Sequence, residues 1–166
     1  YYRTRVDVNN PNVNLINPTI SEKDQRIADQ ALEHRFYVKG FAESVDEVTK
    51  LETYYSFYDA SAKKIDWNAN EDKQKKEQEF RYQLHRHQWM LPQAKAYRIS
   101  KDEKYIQSWI EAYGSWIETF PYTPGTIFPP AGGSENDVDY QWKGLQVAER
   151  VLSQVDIMPY FIHSTN

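Results

Sequence analysis

Apolar residues recur at helical spacing through residues 80–120, and this stretch carries the strongest pattern in the chain. Its first half places Phe80, Leu84, His87, Leu91 and Ala94 on one face, with Tyr82, Trp89 and Ala96 nearly opposite. Its second half repeats Tyr105, Ile106, Trp109, Ile110, Tyr113, Trp116, Ile117 and Phe120 with the same period. Only the polar residues 100–103, SKDE, separate the halves, so the two helices are predicted to run antiparallel in contact. A helix that is apolar on two faces needs a neighbour on each side. The expected fold class is therefore all-α, a layered array of helical hairpins.

Ser21 with Asp24 predicts a helix start, continuing through residues 25–37 with Ile27, Ala28, Ala31, Leu32 and Phe36 inward and Gly40 as the stop. The Asn- and Pro-rich residues 1–20 read as an irregular lead-in, followed by one domain over 21–166. Tyr54, Tyr55, Phe57 and Tyr58 form an aromatic cluster, and Trp67 within IDWNAN is expected to anchor its loop on the helices. The charged residues 71–79 suit a solvated first turn or linker. Pro92 removes a backbone donor and predicts a bend in the helix begun at Phe80. Residues 121–139 form a long Pro/Gly-rich loop, Asp139 is placed to cap a last helix over 140–154, and Pro159 ends it. No sheet pattern of similar strength is present.

Composition narrows the function. The 166 residues include five Trp, thirteen Tyr and seven Phe, which suits sugar grooves and protein interfaces but equally fills gaps between helices. A net charge of −4 argues against a nucleic-acid partner, because such binding depends on a basic footprint. It leaves room for an anionic sugar bound by a few convergent arginines. The absence of cysteine removes disulfides and thiolate chemistry. No run reaches the ~20 apolar residues of a membrane span, and no leader peptide is visible.

Candidate chemistry gathers in two places. His85 and His87 are two residues apart and do not share a helix face, so a metal site from this triplet is disfavoured, and no cofactor is identifiable. His87 shares the Leu84/Leu91 stripe and reads as a hydrogen-bonded core histidine. Arg86 falls nearer Tyr82, Trp89 and Gln93, where a guanidinium beside an aromatic ring suits a carboxylate or sulfate on a sugar, or else an interhelix bridge. In the last helix Trp142, Leu145, Glu149 and Leu152 share a face, so Glu149 points toward apolar surroundings and needs a partner or a function. Arg150 adjoins it. The expected substrate-binding set is Arg86, His87, Trp89, Trp142, Glu149 and Arg150. Nothing in the spacing of the acids brings a hydrolytic pair together, and phosphate-loop, nucleophile-elbow and dinucleotide motifs are missing.

Taken in order, Trp67-Asn68, His85-Arg86-His87, Ala96-Tyr97, Asp102-Glu103-Lys104-Tyr105, Trp109, Trp116-Ile117, Pro121, Trp142, Glu149 and Arg150 resemble the N-terminal region of the heparinase II/III family. Heparinase III-like proteins of Bacteroidetes look nearest, and the position of His85 is often Asn in such relatives. The resemblance implies the opening portion of an α/α toroid, continued by further helices and a β-sandwich domain. It also implies a polysaccharide lyase acting on heparan sulfate or a related uronate polymer by β-elimination, in the periplasm or outside the cell. The family's catalytic Asn, Tyr and His residues fall beyond Asn166, so no catalytic residue is assigned. The isolated piece is expected to be inactive, to expose an apolar edge and to self-associate. The alternatives are a non-catalytic helical carbohydrate-binding module or an α/α-barrel glycoside hydrolase using acids such as Asp139 and Glu149.

Overall fold

The computed structural model describes residues 19–40, 53–125, 140–162 and 164–165. The lead-in through residue 18, residues 41–52, most of the Pro/Gly-rich loop and the Asp139 cap lie outside the described residues.

Helix α1 spans Glu22–Leu32. The Ser21 hydroxyl accepts the Asp24 amide at 3.0 Å, and Glu22 and Asp24 complement the positive end of the helix. It ends five residues before the expected limit at Tyr37. His34 takes a left-handed conformation (φ 54°), and the chain then pairs as a strand, β1 at Arg35–Phe36 with β2 at Tyr55–Ser56. A second short antiparallel pair joins β3, Tyr58–Asp59, to β4, Lys64–Ile65. Of the aromatic cluster, the strands bury Phe57 and leave Tyr54 and Tyr55 half-buried and Tyr58 exposed; in the core Phe36 stacks on Trp89 with centroids 4.0 Å apart, and also on Phe57 and Trp67. Trp67 is fully buried and its indole N–H donates to Ser115 Oγ at 3.1 Å, so it pins its loop to the helices.

Residues 71–79 fold into α2, Glu71–Lys76, and the start of α3, Gln78–His85. The expected single helix from Phe80 is broken, and the break is not at Pro92. The backbone reverses at His87 (φ 61°), passes through a 3₁₀ turn at Gln88–Met90, and restarts as α4, Leu91–Ser100. Pro92 lies in the first turn of α4, where a backbone donor has no intrahelical partner to lose. The joint after α4 is as short as its sequence demands. Lys101 is left-handed (φ 58°), and Asp102 Oδ1 accepts the Lys104 amide at 3.1 Å at the start of α5, Lys104–Thr119.

Helix α1 packs on α4, where buried Ala28, Ala31, Ala94 and Ala96 leave room for close approach, and Asp24 pairs with Lys95 at 2.7 Å. Tyr105 on α5 donates to Asp29 at 2.7 Å and accepts from Gln25 at 3.0 Å, which ties α1 to the hairpin. The final helix, α6, spans Gly144–Ile157 between 3₁₀ turns at Tyr140–Trp142 and Met158–Phe161.

The orientation of α6 differs from that expected of an apolar-in helix. It buries Gln146, Arg150, Ser153 and Ile157, while Leu145 and Leu152 remain 61% and 60% exposed. Val151 and Val155 are also exposed, as are Ile110 and Ile117 on α5. The polar face turns inward because α3 and the turn after it offer carbonyls, amides and ring nitrogens as partners. The apolar edge expected of an open helical array is therefore present, on α5 and α6.

Candidate functional site

The break after α3 sets up the site. Reversal at His87 sends consecutive side chains of the His-Arg-His triplet into different environments. His85 and His87 are both fully buried, whereas Arg86 stays near the surface.

His85 Nδ1 accepts the indole N–H of Trp116 at 2.8 Å, which places the proton of a neutral ring on Nε2. The Gln154 amide fixes the tautomer of His87. Its oxygen accepts from Trp109 Nε1 at 3.2 Å, so its nitrogen is the group that donates to His87 Nδ1, also at 3.2 Å. His87 meets Trp116 edge to face with centroids 5.0 Å apart. Burial, reinforced by the positive charge of Arg150, holds both imidazoles well below the usual histidine range. Both are therefore neutral scaffold groups at ordinary pH.

Arg150 organises the same cluster. Its two terminal nitrogens donate to the carbonyls of His85 and Gln141 at 3.1 and 2.9 Å, and its guanidinium carbon lies 4.2 Å from the centre of Trp116 and 5.1 Å from that of Trp142. Desolvation pushes its pKa down to about 10, which leaves it charged at neutral pH. Trp142 is half-buried and, with Tyr113, Phe120 and Val151, borders an apolar cavity of about 400 Å³ between α5 and α6.

A second, more polar strip runs along the α3/α6 boundary. Arg86 Nε donates to Gln146 at 2.8 Å, and its Nη1 reaches Glu79 at 3.1 Å. Glu149 is half-buried and accepts from Gln88 at 3.2 Å. The partner that its position requires is thus an amide rather than an arginine. Trp89 belongs to neither group: it is 3% exposed, donates to the Leu84 carbonyl at 3.0 Å and stacks in the core on Phe36.

The structure brings His87, Arg150 and Trp142 together around Trp116, places Arg86 and Glu149 on the strip, and puts Trp89 against the opposite packing partner. The six residues do not form one continuous groove. Gln88, Gln146 and Gln154 carry the links between these groups and were not singled out by the sequence pattern. Among the described residues no cluster of three or more His, Asp or Glu side chains is arranged to hold a metal ion, and no helix is long and apolar enough to cross a membrane.

One tight helical hairpin, α4–α5, with α1 and α6 packed against α4 and an apolar face left on α5 and α6, gives a mostly helical fold of the kind that opens an α/α toroid. The chain belongs to the heparinase II/III family, whose N-terminal region matches residues 1–166. It is 46% identical over 167 residues to a heparin-sulfate lyase of Bacteroides thetaiotaomicron, covering 100% of this chain and 21% of that protein. A heparin-sulfate lyase of Pedobacter heparinus is 28% identical over 171 residues, covering 99% of this chain and 22% of its own length. A solved heparinase III structure superposes with a TM-score of 0.70 at 31% identity, covering 99% of this chain and 24% of that one. The crystal structure of a heparan sulfate lyase from Pedobacter heparinus gives a TM-score of 0.67 at 27% identity, covering 99% and 23%. The chain thus spans between a fifth and a quarter of the length of these relatives.

Proposed function

We propose that this chain is the opening toroid segment of a polysaccharide lyase that cleaves heparan sulfate or a related uronate-containing glycosaminoglycan, exported to the periplasm or beyond. The observation that carries the reading is the match of the whole chain to the family's N-terminal region and to 21–23% of the length of heparin-sulfate lyases. In such an elimination a base removes the uronate C5 proton, the C4–O bond breaks and its electrons leave with oxygen. The departing oxygen gains a proton, and a C4=C5 double bond remains conjugated with the carboxylate.

The segment's contribution is to hold and orient substrate. The buried, neutral His85 and His87 have no open face from which to take a C5 proton. Tyr97 is 1% exposed, and burial with the neighbouring Glu103 carboxylate raises its pKa, so it is a poor base. Arg86, Trp142 and Glu149 form the partly accessible part of the expected glycan-binding set, Arg150 and His87 are buried beside them, and Trp89 acts only in the core. The remaining toroid helices and a β-sandwich domain supply the catalytic groups and cover the apolar edge.

The test is the ultraviolet absorbance of the conjugated product when heparan sulfate is given to the intact parent polypeptide. Absorbance growth supports elimination. Shorter saccharides without it point to hydrolysis, and binding without cleavage points to a carbohydrate-binding module. The 166-residue chain alone is expected to give no product.

A further inference from the structure

We infer that the pocket between α1 and the start of α4 is an oxyanion subsite, taking a sulfate or carboxylate group carried on a sugar ring. Its position on the glycan path rests on the lyase reading above. The pocket has a volume of about 270 Å³, at the small end of ligand sites and suited to one substituted ring rather than a long segment.

Among the described lining residues, Lys23, Lys39 and Lys95 face one carboxylate, Asp24, an excess of two positive charges on a chain whose net charge is −4. Two of these ammonium groups are held in place. Lys95 Nζ lies 2.7 Å from Asp24 Oδ2, and Lys23 Nζ lies 3.0 Å from the Tyr37 hydroxyl and 4.8 Å from the centre of its ring. Both lysines are half-buried, so much of their side-chain freedom is already spent before a ligand arrives. Lys39 is exposed at the rim, where its flexible stem can follow an incoming charge.

The rest of the lining fits a sugar rather than a bare ion. Ile27, Leu91, Pro92 and Trp89 give the pocket apolar lining suited to the C–H face of a pyranose. Gln83 and Gln88 add amide groups to the same lining. The pocket also adjoins the polar strip. The Gln83 amide donates to Glu79, the acid paired with Arg86, and Gln88 lines the pocket while donating to Glu149. An anionic chain crossing the Arg86–Glu149 strip therefore has the lysine pocket beside it.

The experiment measures equilibrium binding of a sulfated heparan disaccharide, an unsulfated uronate disaccharide and inorganic sulfate to the intact parent polypeptide. Lys39→Glu and Lys23→Gln should each weaken the sulfated disaccharide by about fivefold, Lys39→Arg should restore it, and added salt should narrow the difference. Lys76→Glu, on exposed α2, makes the same charge change as Lys39→Glu and serves as the control. A selective loss for the sulfated sugar identifies sulfate as the bound group, and an equal loss for the unsulfated sugar identifies carboxylate. Equal effects of Lys39→Glu and Lys76→Glu, or no effect of either, overturn the subsite, as does binding of inorganic sulfate alone with no Lys39 dependence for either sugar. Elimination product from wild-type enzyme alongside unchanged binding by the pocket variants removes the subsite and leaves the lyase. Lys39-dependent binding without elimination product removes the lyase and leaves the subsite.

Discussion

Arg150 sits over Trp116, its guanidinium carbon 4.2 Å from the ring centre, while its nitrogens close on the carbonyls of His85 and Gln141. One side chain thus joins α6, the end of α3, α5 and the turn before α6. Arginine is required by shape as well as charge. Its planar fork reaches two carbonyls while its charge sits over an indole ring, which a lysine ammonium cannot do.

Arg150→Ala is therefore expected to cost about 2–4 kcal/mol, because it loses the cation–π contact and strands two buried carbonyls. Arg150→Lys should recover less than half of that. Urea unfolding of wild type and both variants, read by tryptophan fluorescence, gives the comparison. A loss below about 0.5 kcal/mol for the alanine variant would contradict the role assigned to this contact.

Stability should fall as the medium is acidified through the histidine range. His85 and His87 are held well below their ordinary value in the folded protein, chiefly by burial, whereas the unfolded chain titrates near 6.5. Above about pH 6.5 both states leave these rings neutral and the full stability is present. Below it the unfolded chain takes up protons that the folded chain refuses, so unfolding is favoused progressively down to the folded values. Melting temperatures across this range should drop with acidity. The slope should be shallower for His85→Asn, which removes one titrating ring and keeps an acceptor for Trp116. An unchanged slope in that variant would contradict the assignment.

The exposed face of α6 should drive self-association of the isolated chain. Val151, Leu152 and Val155 are each at least 55% exposed, beside the apolar cavity bordered by α5. Sedimentation velocity should show concentration-dependent oligomers for wild type and a shift toward monomer for the double variant Leu152→Lys, Val155→Lys. Both residues are solvent-facing, so the helix should survive, with circular dichroism as the check. A wild-type chain that stays monomeric at high micromolar concentration would refute the prediction.

Much of the architecture was legible from local pattern. The paired stripes of residues 80–120 and the short SKDE joint dictated a helical hairpin, because the helical period and the lack of spare chain leave no other compact arrangement. Ser21 announced the start of α1, and Trp67 announced a buried anchor. Pro92 was misleading on its own. The same missing donor that bends a helix interior is neutral in a first turn, and only the reversal at His87 determines which case applies.

Tertiary structure alone decided which way α6 faces and which side chains meet. A hydrophobic stripe reports the contrast between two faces of a helix; it does not report which neighbour is present. Here the inward face is set by groups some sixty residues earlier in the chain: Arg86 holds Gln146, Gln88 holds Glu149, and the His85 carbonyl receives Arg150. The lysine pocket has the same origin, since Lys23, Lys39 and Lys95 converge only when α1 lies on α4. Residue type and helical period were fixed locally. Charge clustering, histidine tautomers and the choice of buried face arose from long-range packing, where each buried polar atom needs a partner that no short window of sequence contains.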